Sequence, residues 1–398
     1  MTIVERDDDS ARVQGLCAPG FERMRAALSE ILATGSEVGA ALAVYVDKHP
    51  VVDLWMGHTD AARTRPWARD TIVNLYSVGK AVTAICALRL VEAGLLDLDA
   101  PVAHYWPEFA QEGKGRIKVR HLLTHQAALP AVARRLPPGA WSRWDVMTEA
   151  LAAQAPWWEP GQGHGYHVNT QGFLIGEIVR RITGKTLGAY LRESFAGPSG
   201  IDFFIGFGPE LDGRCAELLP QPASLEGDEL RRQLSVDPGS LSGLSLMRVN
   251  AYRNPPEISG TGVVNTRQWR AAEVPSTNGH GNARAVARLY SALAGDGTLD
   301  GMRVLRPETV ARAAEEQVYG EDIVLQRPTR FGLGFQLTMA ERPLGPNPRA
   351  FGHFGAGGSL GFADPDAGLA FAYAMNQGRS GWQHKHVRRL IDLVYAAL

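Results

Sequence analysis

Asn74-Leu75-Tyr76-Ser77-Val78-Gly79-Lys80 is the stretch on which the fold turns, and it runs directly into Ala81 to Ala93, followed by Gly94. Val82, Ile85, Cys86, Leu88, Leu90 and Val91 fill most sides of a helix and Gly94 supplies its stop, so the spacing predicts a deeply buried helix over Val78 to Ala93. A serine and a lysine three apart on a helix project from one face about a turn apart, and their side chains can meet. A serine hydroxyl is a weak nucleophile at neutral pH and needs a neighbour to take its proton; a lysine desolvated at a helix start can be partly neutral and do so. The helix N-terminus also directs free N–H groups and partial positive charge at an oxyanion on an attacked carbonyl. Taken alone the spacing recurs by chance, as an N-capping serine and a solvated lysine. Here the lysine stands on an otherwise apolar helix, where an ammonium without a partner or a task is costly.

Working outward, Phe21 to Leu32 is amphipathic, and Val38 to Val46 and Val51 to Met56 are β-rich runs around the turn-prone Asp47-Lys48-His49-Pro50, which predicts a hairpin. Thr170 to Ile182 before Gly184, Ala283 to Leu293 before Gly295, and Pro307 to Glu316 have helical periodicity with start or stop signals. Gly332 to Met339, Gly358 to Phe362 and Leu369 to Asn376 are expected as strands, and Trp382 to Leu398 as a closing helix. Strands at both ends of the sequence predict an α+β fold. One α/β domain, residues 1–96 and 279–398, surrounds an antiparallel sheet flanked by helices, and residues 97–278 form an inserted, mainly helical domain. Gly206 to Val274, rich in Pro, Gly and Ser, is expected to be an irregular covering segment, and no internal repeat is present.

The 398 residues suffice for two or three domains at roughly 150 residues each. With 45% hydrophobic and 21% charged residues the composition is globular, and a formal net charge of −1 with both signs interspersed excludes a basic stripe for nucleic acid. Ala81 to Leu96, the most apolar long stretch, is broken by Arg89 and Glu92, so no membrane span is expected. Met1 to Ser10 carries Glu5, Asp7, Asp8 and Asp9 where a secretory leader needs a basic start and an apolar run, and Cys17, Cys86 and Cys215 are odd in number and far apart. Reduced thiols, no structural zinc and a cytoplasmic location are the expectations.

Four passages together carry a resemblance: Leu75 to Lys80, Leu95-Leu96-Asp97-Leu98-Asp99-Ala100-Pro101-Val102, Val119-Arg120-His121-Leu122-Leu123-Thr124-His125, and Pro160-Gly161 leading to Tyr166 and a helix. Over roughly residues 20–395 the chain resembles the class C serine β-lactamases, the penicillin-binding DD-peptidases and the related family VIII carboxylesterases. The resemblance implies the β-lactamase-like fold, Ser77 as nucleophile, Lys80 as its activator, and Tyr166 as the tyrosine that returns the proton to the leaving group. The family's Tyr-x-Asn is altered: Val168 stands where the amide-holding asparagine belongs and Asn169 comes one place late. A literal Tyr-x-Asn, Tyr252-Arg253-Asn254, runs into Pro255-Pro256, and its distance from Ser77 fits less well. His353-Phe354-Gly355 fills the place of the family's Lys-Thr-Gly and is followed by Ala356. The resemblance then assigns the oxyanion to the N–H groups of Ser77 and Ala356, with His353 and Gly355 lining the substrate site. Losing the fixed cation favours neutral esters over substrates bearing a carboxylate.

The expected activity is acyl transfer through an acyl-enzyme, needing neither metal nor organic cofactor, with short-chain or other small-molecule esters as substrates. An acyltransferase, β-lactamase or D-amino-acid peptidase would use the same residues, and a non-catalytic binding homologue would keep only the fold. Gly357-Gly358-Ser359-Leu360-Gly361, with Asp364, Asp366, His384 and His386 after it, matches a nucleophile elbow, but a strand rather than a long helix is expected after Ser359. His121 and His125 are expected to be structural, lacking a third ligand with metal spacing. Trp157 and Trp158, with Trp382, either wall an acyl pocket or anchor loops, and Asn278-Gly279-His280 either borders the site or caps the next helix.

Overall fold

The structure is a computed structural model that describes residues 13–221, 232, 233, 235–259, 262–379 and 384–398. The expectations for Met1 to Ser10 and for Trp382 fall outside these residues. Nine strands form one antiparallel sheet: β1 (Gln14–Cys17), β2 (Gly39–Val46), β3 (His49–Gly57), β4 (Val318–Glu321), β5 (Pro328–Phe331), β6 (Gln336–Leu337), β7 (Phe351–Phe354), β8 (Leu360–Asp364) and β9 (Leu369–Met375). Their order is β1-β3-β2-β9-β8-β7-β6-β5-β4, so the two ends of the chain meet where β2 pairs β9, from Val46↔Leu369 to Ala40↔Met375.

The hairpin turns more tightly than the sequence predicted. Asp47 and Lys48, with φ of 47° and 67°, make a two-residue turn whose left-handed backbone matches the twist of its strands, and His49 already belongs to β3. Pro50 enters the strand beside a register shift at Val44/Tyr45, which accommodates its missing N–H. The predicted strand Gly332 to Met339 shrinks to Gln336–Leu337, because Gly334 turns with φ 84° where a Cβ would lie 2.2 Å from Ala84. The predicted strand from Gly358 starts only at Leu360, since Gly357 and Gly358 turn with φ of 85° and 119°.

Strand periodicity sorts the two faces of the sheet. Leu42, Val44, Leu54, Phe362 and Phe371 pack under helices α1 (Glu22–Ala33) and α5 (Lys385–Tyr395), together with Leu28, Ile31, Leu390 and Val394. On the opposite face the small Ala41, Ala43, Ala370 and Ala372 admit a helix at close range, carrying Val286, Leu289 and Tyr290. These elements are, in chain order, α2 (Val78–Glu92), α3 (Thr170–Thr183) and α4 (Ala283–Ala294), of which α4 lies on β2, β8 and β9 while α2 lies against α3 and β7. A Cβ at Gly361 would sit 2.4 Å from Val286, so that glycine lets α4 settle on the sheet.

Between α2 and Ala283 helices and short helical turns are the predominant regular structure of the described chain. Its only strands there, Phe203–Phe204 and His280–Gly281, join Val73–Asn74 in a small three-stranded sheet that feeds directly into α2. Within this region Lys114 is wholly buried, and its Nζ donates to the carbonyls of Gln111 at 2.9 Å, Ala152 at 2.8 Å and Gln154 at 2.6 Å. It thus caps the C-terminal end of the helix Trp144–Ala153 with a cation. Lys114→Met leaves those carbonyls without a donor and is expected to lower unfolding stability by about 3 kcal/mol, read as a shifted urea midpoint. An unchanged midpoint would show the contacts to be dispensable. Cys17, Cys86 and Cys215 are free thiols, and no described helix is long and apolar enough to cross a membrane.

Candidate active site

The approach to Ser77 is braced from several sides. Leu75 N–H donates to Gly279 O at 2.7 Å, Asn74 Nδ2 to Thr277 O at 3.1 Å, and Trp269 Nε1 to Asn74 Oδ1 at 3.0 Å. These contacts hold Tyr76 at φ 47°, a conformation that a residue with a Cβ rarely adopts, immediately before Ser77 begins α2. Gly79 permits the next step: a Cβ there would lie 2.7 Å from Pro275 O, so the 275–279 segment can press on the first helical turn.

That pressing brings the Ser276 carbonyl to Lys80. Lys80 is wholly buried, and its Nζ lies 2.7 Å from Val168 O, 3.0 Å from Ser276 O and 3.1 Å from Ser77 Oγ. Burial alone holds the amine well below the usual lysine range. A neutral amine has two N–H groups and one lone pair. Once the amine is neutral, its two N–H groups can serve the two carbonyls and leave the lone pair to the Ser77 hydroxyl.

Tyr166 closes the triangle. Its ring centroid is 4.7 Å from Lys80 Nζ, it stacks on Phe331 with centroids 6.0 Å apart, and its phenol engages the Ser77 side chain. Burial raises the phenol above its ordinary pKa, so it is protonated at rest. The neighbouring His167 is consumed by backbone: its Nδ1 lies 2.7 Å from Gly165 O and its Nε2 accepts from Leu129 N at 3.1 Å, while burial pushes it down to about 3. Val168 gives its carbonyl to Lys80 and its side chain to an apolar cluster with Tyr166, Met247 and Val324. Asn169 commits its amide nitrogen to Ala251 O at 2.8 Å and Ser259 Oγ at 3.0 Å, in the covering segment. Tyr252 joins the rim of the same cluster, but the tyrosine beside Lys80 is Tyr166. Asn254 braces the chain through Leu136 N, Val132 O and Arg134 O.

β7 supplies the opposite wall. His353 is buried with its ring 6.2 Å from that of Tyr166 and its Nδ1 2.8 Å from Phe354 O, and burial pushes it down to about 3. The imidazole is therefore neutral. A Cβ at Gly355 would lie 2.3 Å from Leu75 O, so this glycine allows the strand end to close on the serine loop. Exposed Ala356 opens the tight turn Ala356–Gly358 that follows. Ser359, the elbow alternative, is buried at the head of β8 with its hydroxyl donating to Leu75 O at 3.0 Å, and no helix follows it. Its apparent partner Asp364 is taken by Asn347 Nδ2 at 2.8 Å and by the Tyr395 hydroxyl.

Half-buried Trp157 donates its indole N–H to Ala131 O at 2.8 Å, and half-buried Trp158 lies over Gly165, so both flank the cluster around Tyr166. His121 Nδ1 accepts from Lys118 N and His125 Nδ1 from His167 N, and among the described residues no group of three His, Cys, Asp or Glu could hold a metal ion. Asn278 braces its own loop through Val274 N and Trp269 O. Three contributors had no side-chain signature in the sequence: the carbonyls of Val168 and Ser276, and Asp322, whose carboxylate holds the Tyr166 N–H at 3.0 Å.

The Beta-lactamase family model matches residues 24–396. The chain is similar to the esterase/beta-lactamase LipL of Mycobacterium tuberculosis, 33% identical over 383 residues that cover 93% of this chain and 84% of that protein. A crystal structure of a family VIII carboxylesterase gives a TM-score of 0.88 at 40% identity, covering 97% of this chain and 100% of that one. A penicillin-binding protein homologue from Caulobacter crescentus gives 0.87 at 36% identity, with coverage of 97% and 100%.

Proposed function

This chain belongs to the Beta-lactamase family of serine hydrolases, and from that premise and the surroundings of Ser77 we propose that it is a carboxylesterase acting on small, neutral esters through a Ser77 acyl-enzyme. In this reading Lys80 takes the hydroxyl proton as Ser77 Oγ bonds to the ester carbonyl carbon. The resulting oxyanion is held by the N–H groups of Ser77 and Ala356. As the C–O bond to the alcohol breaks, Tyr166 delivers a proton to the departing oxygen and is resupplied from Lys80. Water, deprotonated by the same pair, then attacks the acyl-enzyme, releasing the acid and restoring Ser77.

The observation that carries the reading is the contact of the wholly buried Lys80 Nζ with Ser77 Oγ at 3.1 Å, where burial favours the neutral amine. Ester rather than amide substrates are favoured by two departures from the family pattern. Valine occupies position 168 and Asn169 is tied to the covering segment, so neither offers a side-chain amide to a peptide or β-lactam bond. At 353 a neutral imidazole replaces a cation, which removes the attraction for a substrate carboxylate.

The test is a substrate panel of p-nitrophenyl and alkyl acyl esters, nitrocefin and D-alanyl peptides, with the modified residue located by mass spectrometry after fluorophosphonate treatment. Turnover of the esters, with label on Ser77 and kcat/KM for nitrocefin and the peptides at least about 100-fold lower, is the expected outcome. A preference for nitrocefin or peptides, or label elsewhere, overturns the proposal.

A further inference from the structure

A hairpin tip at a sheet edge is ordinarily solvated, yet the tip joining β4 and β5 turns Asp322 inward until none of it is exposed. A buried carboxylate is retained only when donors surround it. Here Tyr166 N lies 3.0 Å from both carboxylate oxygens, Val324 N and Leu325 N lie 2.9 and 2.8 Å from Oδ1, and Thr329 Oγ1 lies 3.2 Å from Oδ2. The contacts from Val324 and Leu325 shape the tip itself. The one from Tyr166 reaches across to the candidate site.

We infer that Asp322 is a positioning residue for Tyr166: by holding its main-chain N–H it fixes where the phenol stands relative to Ser77 and Lys80. The inference rests on the reading of Tyr166 as the proton carrier. Neighbouring contacts act in the same direction. Ile323 N donates to His164 O at 3.0 Å, His164 Nε2 lies 2.7 Å from Thr329 Oγ1, and Arg248 Nε donates to Ile323 O at 2.9 Å. Gly165, between the two anchored residues, has no room for a side chain, since a Cβ would lie 2.7 Å from Trp158 and 3.0 Å from Val324. The tyrosine loop is therefore clamped to the hairpin through His164 and Tyr166, which fixes the main chain from which the phenol projects. The edge strands, remote in sequence from Ser77, thereby become part of the acyl-transfer geometry.

Asp322→Asn tests the positioning separately from the fold. Oδ1 faces the N–H groups of Tyr166, Val324 and Leu325, and an asparagine can keep all three on its oxygen provided that its Nδ2, in place of the Oδ2 that Tyr166 N also meets at 3.0 Å, swings toward a reoriented Thr329 hydroxyl. Asp322→Ala keeps none. The readout is kcat/KM for a p-nitrophenyl ester and an ethyl ester of the same acid, because p-nitrophenolate leaves unaided whereas ethoxide needs a proton. Tyr166→Phe is expected to lose about 1,000-fold on the ethyl ester and about tenfold on the p-nitrophenyl ester. Asp322→Ala, folded by circular dichroism, should reproduce that asymmetry at about 100-fold and tenfold, and Asp322→Asn should stay within about fivefold of the parent on both esters.

Equal losses on the two esters in Asp322→Ala, or an Asn variant as impaired as the Ala variant, overturn the inference. Should Asp322→Ala not fold, the Asn variant decides, and a loss of about 100-fold or more in a folded Asn protein overturns it. If Tyr166→Phe itself shows no asymmetry, the assignment of Tyr166 has failed rather than that of Asp322 alone.

Discussion

Ser77→Ala is expected to abolish ester turnover, with kcat falling on the order of 100,000-fold, while the fold is retained. The size follows from the absence, among the described residues, of a substitute nucleophile beside Lys80. Ser276 lies close, but its hydroxyl accepts from Gly172 N at 2.7 Å, and the Ser359 hydroxyl is held on Leu75 O at 3.0 Å. What would remain is the electrostatic assistance of the helix N-terminus to attack by water, which is small once covalent catalysis is gone. The substitution deletes one oxygen from a tightly packed helix start, so stability should move by no more than about 1 kcal/mol. Hydrolysis of a p-nitrophenyl ester together with a thermal melt measures both. Turnover within about tenfold of the parent would remove Ser77 from the mechanism.

Lys80 gives the second large effect, and the informative comparison is between two replacements. Methionine has similar length and cannot take a proton, so Lys80→Met is expected to lower kcat/KM about 1,000- to 10,000-fold. It also strips the donor from Val168 O and Ser276 O, a loss of about 1–3 kcal/mol for each buried carbonyl left unmade. Arginine keeps the charge and the donors but is never neutral near physiological pH. If Lys80 served only as a fixed cation, Lys80→Arg would retain activity; as a base it should be as inactive as the methionine variant. The pH profile follows from the same depressed pKa. Burial holds the lysine well below its usual range, which favours the neutral amine, so activity should fall on the acid side as the amine is protonated. In neither variant should that acid limb survive, and an unchanged limb would assign it to another group.

How much of this was visible in the sequence differs from element to element. The helix carrying Ser77 and Lys80 was legible because an apolar surface on most sides and a terminal glycine leave few alternatives, and a three-residue spacing fixes which side chains meet. Tyr166 could be approached through its neighbours but not through its own motif, because His167 and Val168 serve the site through backbone and packing instead of polar side chains. Short strands escaped: β4, β5 and β7 have four residues each, and β7 is interrupted in pattern by Gly352 and His353. The hairpin turn was misplaced by two residues because Pro50 looked like part of a turn, whereas a local bulge lets it sit inside a strand. Carbonyl acceptors and a main-chain N–H held by Asp322 are invisible to residue-type reasoning, since any amino acid could provide the backbone atom.

The junction of β2 with β9 has a bearing on how the protein is made. As the chain leaves the ribosome, β2 and β3 emerge early and present an unsatisfied hydrogen-bonding edge until Leu369 to Met375 arrive to cover it. Contacts between such distant parts of a polypeptide form slowly, and an uncovered edge in the interval invites association with other nascent chains. Chaperone demand and inclusion-body formation during overproduction should therefore respond more to substitutions in β9 than to those in β4 and β5, which pair with each other as a local hairpin.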